Sequence, residues 1–447
     1  MIKFWLNCVY VTAFVFFMLW AVSKLTDFKL FSAFDPISQA LNDFELTDYA
    51  FSNLRPQPSV DQRIVLVNFG RIPRGGIGQQ IKMINQFHPR VIGVDSYFDC
   101  EGGLRDTVNC PQLLDTLSNL LLSDAIKEAG NVVLVSKLLQ KTATANNPEA
   151  IDIYDSLEYS DPMFDNYSTH AFANLVTNAD YQEDVKLCRS FIPRLNINGK
   201  YENAFAVELA RKYDSAKVNR LFARGNEEEI VNYRGNVELT DIRLKSLQNK
   251  DLGTTNFRMM FYAIDIDQVL NGDFDPELFK DRIVIMGYLG DYFGDPSWED
   301  KYFTPLNKKV AGRANPDMFG VVVHANIVAM ILNEDYVGEL SDWQQIAIAI
   351  LLGIFTVALF MVIDEKLPAW FDAMSVLIQV FQILLISGLV VYCFATFTYK
   401  LDLSLALGVS ALIGPCYDIF KSVQNEIEKR LEARKRKLSE SLPVDGQ

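Results

Sequence analysis

Asp281-Arg282-Ile283-Val284-Ile285-Met286-Gly287 is the stretch on which the fold turns. Ile283 to Met286 is a short apolar run rich in β-branched residues and closed by a glycine, the pattern of a strand buried on both faces. A polar loop from Tyr288 to Pro305 follows and ends in Phe303-Thr304-Pro305-Leu306. Gly320-Val321-Val322-Val323-His324-Ala325-Asn326 then reads as a strand-to-helix passage, with the helix continuing through Ile327, Met330 and Ile331. From Trp343 the sequence becomes that of membrane helices, so a folded domain finishes here and hands over to them.

The same strand pattern occurs upstream at Arg63 to Asn68, Arg90 to Asp95 and Asn131 to Val135. Between these runs, Gly75 to Phe87 and Leu113 to Ala129 read as helices. Strands alternating with helices at this spacing predict an α/β domain, a parallel (mixed) sheet with helices on both faces. The region from Gln140 to Lys280 breaks the alternation. It carries a helix at Glu202 to Tyr213, a strand at Ile230 to Arg234 and a helix around Ile264 to Leu270. Before the first strand, Phe34, Ile37, Leu41 and Phe44 recur at helical spacing and predict a helix within Phe28 to Arg55.

The chain has 447 residues, of which 49% are hydrophobic and 22% charged, which fits apolar segments joined to a polar domain. The longest apolar runs are Phe4 to Val22, Gln344 to Ile363, Ala373 to Phe397 and Leu401 to Tyr417. At 1.5 Å per residue each approaches the ~30 Å of a bilayer core, so four transmembrane α-helices are expected. This divides the chain into an N-terminal anchor (1–23), an outer domain (24–342), a three-helix membrane region (343–418) and a basic tail (419–447). The first run is read as an uncleaved anchor rather than a signal peptide, because only Lys3 precedes it.

Lys421, Lys429, Arg430, Arg434, Lys435, Arg436 and Lys437 form the densest basic cluster of the chain. By the positive-inside rule that end is cytoplasmic. Four spans then put both termini in the cytoplasm and the outer domain outside the plasma (inner) membrane. Of 56 acidic and 42 basic residues, ten of each lie outside Lys24 to Asp342, leaving about 46 and about 32 within it. Nearly all the net charge of −14 is therefore on the outer domain, which argues against nucleic acid as a partner.

Cys8, Cys393 and Cys416 lie in apolar runs, where a thiol behaves as a small hydrophobe. Cys100 and Cys110 flank a Gly-Gly loop after a predicted strand. In an oxidising compartment they either form a local disulfide or remain two free thiols, and Cys188 is left over. The three histidines, His88, His170 and His324, are far apart in sequence, and no metal site or cofactor is expected. In the tail, Ile419, Val423, Ile427 and Leu431 recur every four residues as an apolar stripe, suited to the membrane surface, to a partner or to a second copy of the chain.

Ile64-Val65-Leu66-Val67, Pro89 to Asp95, Gly130 to Leu134, Asp281 to Gly287, Thr304-Pro305-Leu306 and Gly320 to Asn326 occur in the order and rough spacing of one family. They resemble the cyclase- and histidine-kinase-associated sensory extracellular domain of the second type, the CHASE domain family, type two. The resemblance covers most of Phe28 to Leu332 and implies an extracytoplasmic sensor set between one anchor and further spans. Two departures stand out. Asn68-Phe69-Gly70-Arg71-Ile72-Pro73-Arg74 replaces the acidic pair and tryptophan-proline-arginine loop usual after the first strand. The kinase or cyclase that often follows in such proteins is expected to be missing, since about 30 residues follow the last span.

In a parallel sheet, ligands collect at the carboxyl ends of the strands. Asn68, Asp95 and the loop after Gly287 belong there. Asp95 suits a polar ligand or a cation, or caps the following turn. Thr304 and His324 complete the ligand-binding candidates as positions that match the family's motifs. No Gly-x-Ser-x-Gly, His-Glu-x-x-His or phosphate-cradling loop is present, and Gly75-Gly76-x-Gly78 lacks the lysine and the spacing. The expectation is a membrane-anchored, non-enzymatic sensor of a small molecule working through a separate partner in the bacterial cell envelope. The alternative is a structural subunit of an envelope complex, using the same domain to dock another protein.

Overall fold

The computed structural model describes residues 2–26, 45–56, 58–99, 115–139, 156–177, 186–237, 260–308 and 315–440. The chain divides into two compact units, one made of residues 1–42 and 338–447, the other of 43–337.

The second unit is built on a mixed seven-stranded sheet. Its parallel strands are β1 (Ile64–Asn68), β2 (Val91–Val94), β3 (Val132–Leu139), β5 (Thr169–Phe172), β6 (Tyr262–Ile264) and β7 (Ile283–Gly287). Across the sheet they run β6-β1-β7-β2-β3-β5, while the short β4 (Ser156–Glu158) pairs antiparallel with the end of β3. The stretch singled out above is thus the central strand, inserted between β1 and β2. Register sorts the side chains into two faces. Val65, Val284, Ile92 and Val132 align on one face; Leu66, Ile285, Gly93 and Val133 align on the other.

The first face is covered by α2 (Arg74–Asn85) and α3 (Thr116–Ala129), which present Ile77, Ile81, Ile84, Leu122 and Ile126 to the sheet. Gly78 lets these two helices touch, because a Cβ there would lie 2.9 Å from the Leu121 carbonyl oxygen. The other face is covered by α4 (Phe205–Tyr213) and α7 (Gly320–Asn333), with α5 (Ser215–Ala223) packed on both, while α6 (Ile266–Asn271) lies beside α2 on the first face. Gly93 makes room for α4: a Cβ on it would sit 2.8 Å from Phe205 Cζ and from Leu209 Cδ2.

Most predicted elements stand at nearly their expected positions, and four readings need correcting. The run Val321-Val322-Val323 is not a strand; β9 (Met318–Phe319), paired with β8 (Lys301–Tyr302), ends before Gly320 and the helix begins there. Every residue of α7 from Gly320 to Leu332 is buried, so packing on the sheet overrides the β preference of three valines. The expected strand Ile230 to Arg234 is reduced to Glu229–Ile230. Lys200–Asn203 is a hairpin strand, and the helix starts only at Phe205. The fourth correction concerns the membrane helices, below. The helix expected over Phe34 to Phe44 and the cysteines Cys100 and Cys110 lie outside the described residues. Among those described, Cys8, Cys188, Cys393 and Cys416 are free thiols.

The first unit is a four-helix bundle of α1 (Ile2–Thr26), α8 (Asp342–Lys366), α9 (Phe371–Phe397) and α10 (Ser404–Glu440). Three of the described helices are long and apolar enough to cross a membrane, not four: Ile2–Val22, Asp342–Lys366 and Pro368–Phe397. The fourth expected span falls short because α10 begins only at Ser404 and meets Asp418 and Lys421. From Ser404 to Tyr417 it rises about 21 Å, against a bilayer core of ~30 Å. Lys421 is tied back to α8, with its Nζ 2.6 Å from Asp364 Oδ1, and Tyr417 donates to Asp364 Oδ2 at 3.2 Å.

Strand β10 (Gly338–Glu339), just before α8, pairs with β11 (Tyr399–Lys400) in the turn between α9 and α10. At the other end, Cys8 of α1 meets Met361 of α8. The start of α1, the end of α8 and the basic part of α10 therefore share one end of the bundle. Beyond it α10 runs on as a single helix, with Ile419, Val423, Ile427 and Leu431 all about half exposed.

Candidate functional site

The sheet fixes where its loops can form a site. Asn68 is level with Gly287, and Val94 with Met286, so the ends of β1, β7 and β2 finish side by side. The chain leaves β1 and β2 towards the α2 and α3 face but leaves β7 towards α7 on the opposite face. Neighbouring strands whose connections diverge in this way open a crevice at their carboxyl ends. Here there are two, on either side of β7.

The crevice between β1 and β7 is filled by the protein itself. Asn68 is wholly buried; its Oδ1 accepts from the amides of Gly70 (2.9 Å) and Leu289 (3.0 Å), and its Nδ2 donates to Asp265 Oδ1 (2.8 Å) and the Gly290 carbonyl (3.0 Å). Gln80 Nε2 donates to its backbone carbonyl at 3.0 Å. Every donor and acceptor of the side chain is used, so Asn68 is a latch between two loops rather than a group turned to a ligand. Arg71 closes the same side by pairing with Asp291 at 3.0 Å and with Glu299.

The crevice between β7 and β2 is different. Asp95 follows β2, its amide tied to the Met286 carbonyl at 2.8 Å. Asp300, at the end of the loop after β7, lies closely enough for its charge to act on Asp95. Protein crowds both carboxyls, while Asp95 as a residue is half-buried and Asp300 is open to solvent. The backbone carbonyl of Asp300 accepts from the Gly320 amide at 2.9 Å, and Tyr302 follows on β8. Gly320 is needed here, since a Cβ would meet both Asp300 carboxyl oxygens and the Tyr302 ring at 3.2 Å. Lys186 stands on the other wall, with Nζ 5.9 Å from the centre of the Tyr302 ring. Phe303 donates to its carbonyl at 2.9 Å, and Cys188 donates back to Phe303 at 3.0 Å.

Electrostatics follow from this enclosure. Loss of water raises Asp95 to about 8, with the Asp300 charge adding to the effect. Desolvation likewise raises Asp300 to about 7, against the pull of Lys186 and the Gly320 amide. Near neutral pH the pair thus keeps a proton that ordinary carboxyls lose, and offers a donor beside an acceptor. Such a pair can receive an amine, a cation or vicinal hydroxyls.

Thr304 and His324 are held elsewhere. The Thr304 hydroxyl donates to Asp317 Oδ2 at 2.7 Å and its amide donates to Oδ1 at 2.9 Å, while burial raises Asp317 to about 7. This contact closes a loop on itself. His324 lies one turn along α7 from Gly320, buried, its ring edge-on to Phe205 at 5.2 Å. Burial lowers its pKa to about 4, so the imidazole is neutral at pH 7. Of the four candidates the sequence offered, only Asp95 stands in this second place, beside Asp300. Lys186, Asp300, Tyr302 and Gly320 join it from loops and a helix start that carry no periodic pattern. The one signal that could have found Asp300 is its place in the loop after β7. Among the described residues no group of three or more His, Cys, Asp and Glu is disposed to hold a metal ion.

The sequence model of the CHASE2 domain matches residues 28–362, about three quarters of the chain, and extends into α8. No curated protein and no solved structure matches.

Proposed function

Because the chain belongs to the CHASE2 domain family, a family of sensory extracellular domains, we propose that it is a membrane-anchored receptor whose α/β domain binds a small polar ligand outside the cell. It signals without turnover, through a separate partner on the cytoplasmic side. The observation that carries this reading is the nearness of Asp95 and Asp300 at the carboxyl ends of β2 and β7, where divergent strand connections favour a ligand. The paired carboxyls favour a ligand that brings hydrogen-bond donors or positive charge over an anionic one.

The test is a thermal-shift screen of the full chain in detergent against amines, polyols and organic anions. A binder at a hundredfold excess over its Kd contributes about 2.7 kcal/mol. The expected result is a rise in Tm with a cationic or hydroxylated compound that Asp300→Asn removes. Stabilisation by anions alone, unaffected by that change, would point to a site elsewhere.

A pH dependence belongs to the same pair. A carboxyl held above its ordinary value in the folded state stabilises the fold while protonated. That contribution is complete below about pH 4 and is lost as pH rises through about 7 for Asp300 and about 8 for Asp95. Asp300→Asn should therefore raise Tm at pH 8 and change it little at pH 5. Equal shifts at the two pH values would mean that Asp300 titrates in the ordinary carboxylate range.

Orientation is proposed from the bundle end that gathers the start of α1, the end of α8 and the basic stretch from Lys421 to Lys437. That end carries the positive charge and faces the cytoplasm. A reporter fused after Gln447 should read as cytoplasmic and one inserted near Asn146 as extracytoplasmic. The opposite labelling at either site overturns the assignment.

A further inference from the structure

Thr12 on α1, Thr356 on α8, Gln382 on α9 and Ser410 on α10 lie within about one helical turn of one another along the four-helix bundle. Gly353, one turn before Thr356, establishes this for three helices: a Cβ on it would meet Thr12 Cγ2 at 2.8 Å and Val409 Cγ1 at 3.5 Å. The fourth follows from the side chain of Gln379, which touches Gly414. Because α9 and α10 are joined by a short turn and run antiparallel, one step back from Gly414 to Ser410 corresponds to one step on from Gln379 to Gln382. Thr12, Thr356 and Ser410 are 3%, 1% and 1% exposed, so all three point inward.

The hydrogen-bond inventory of this layer does not close within the protein. Gln382 Nε2 donates to Thr356 Oγ1 at 2.7 Å, and Thr356 donates back to the Leu352 carbonyl at 2.8 Å. Thr12 Oγ1, Ser410 Oγ and Gln382 Oε1 are buried with no partner among the described residues. In an apolar bundle each such group costs on the order of 1–3 kcal/mol, and buried waters characteristically serve two to four otherwise unsatisfied polar groups.

We infer that Thr12, Gln382 and Ser410 together hold one buried water molecule, which completes a polar layer across all four helices. The water accepts from the two hydroxyls and donates to Gln382 Oε1, so all three orphaned atoms are served at once. The consequence falls mainly on α9, which turns Leu377, Val380, Phe381, Leu384 and Leu385 away from the bundle. In lipid, apolar contact gives little preference for one helix position over another, so this layer sets the depth at which α9 sits. The turn following α9 is paired through β11 with β10, the strand that leads from the α/β domain into α8.

The sign of a stability change tests this directly in the full-length protein in lipid nanodiscs. If the hydroxyls are bridged by water, Thr12→Val and Ser410→Ala each remove a hydrogen bond and lower Tm by about 2–4 °C. The double variant should lose less than the sum, because both changes release the same water. If the hydroxyls are merely stranded, removing either relieves a penalty and Tm rises, which overturns the inference. Thr12→Ser, which keeps the hydroxyl, should remain close to the parent. Water-edited solid-state NMR of the unmodified protein gives an independent reading. Transfer of water magnetisation to Thr12 and Ser410 is expected, and its absence overturns the site. A Tm that instead depends on sodium, with the dependence lost in Ser410→Ala, would replace the water by a cation and equally overturn it.

Discussion

Replacing Val284 with Asp should prevent the α/β domain from folding. Val284 lies at the middle of the central strand, level with Val65 on one side and Ile92 on the other, and is wholly buried in the core formed with α2 and α3. Removing the valine side chain from that core sacrifices roughly 1.5–3 kcal/mol of apolar burial. The carboxylate adds the larger cost. Core neighbours such as Val65, Ile92 and Met286 offer it no donor, and an unpaired buried charge costs several kcal/mol more. Against a typical stability of about 5–15 kcal/mol, the sum removes most or all of it. Val284→Ala, which omits the charge, should lose only about 2 kcal/mol and still melt cooperatively. Limited proteolysis of the detergent-solubilised chain distinguishes the two. Unchanged protease resistance in Val284→Asp would mean that this strand is not the centre of the sheet.

That central strand was legible because burial on both faces leaves a continuous β-branched run, and the same holds for β1, β2 and β3. Its position was not. Nothing in the chain order says that the last long strand inserts between the first two, because pairing is decided by which helices cover which face. The start of α7 was misread for a related reason. Val321, Val322 and Val323 prefer extended backbone when taken alone, but between the sheet and α4 they gain more by packing as a helix. In α10 the apolar run resembles a fourth span, yet Asp418 and Lys421 follow within one turn, and the pairing of Lys421 with α8 depends on a residue more than fifty positions away. The candidate site divides in the same way. Asp95 could be placed from its strand, whereas Asp300, Tyr302 and Lys186 reach the crevice through loops whose course no periodicity records.

Asn68→Asp should destabilise the domain by about 4 kcal/mol or more, although the two side chains have nearly the same shape. The position was visible in the sequence as the end of a strand, where a ligand group is expected. The structure gives it another task. The Asn68 amide nitrogen donates to Asp265 Oδ1 and to the Gly290 carbonyl, so an oxygen in its place would face two acceptors at about 3 Å. Two donor bonds are lost; the Gly290 carbonyl loses its side-chain donor at about 1–3 kcal/mol, Asp265 Oδ1 keeps only the Ile266 amide, and a buried negative charge is set beside Asp265. The oxygens facing Gly70 and Leu289 are retained, so the defect is confined to one side of the residue. Protonation of the new carboxyl would restore one donor. Burial and the neighbouring carboxylate should hold its pKa above the ordinary range, so the contribution is present at low pH and lost as pH rises. The loss in Tm should accordingly be larger at pH 8 than at pH 5. Urea unfolding of the parent and variant at the two pH values measures both effects. If stability is unchanged and only the response to a bound compound differs, Asn68 belongs to the ligand site after all, and the crevice extends across β7 to the first strand.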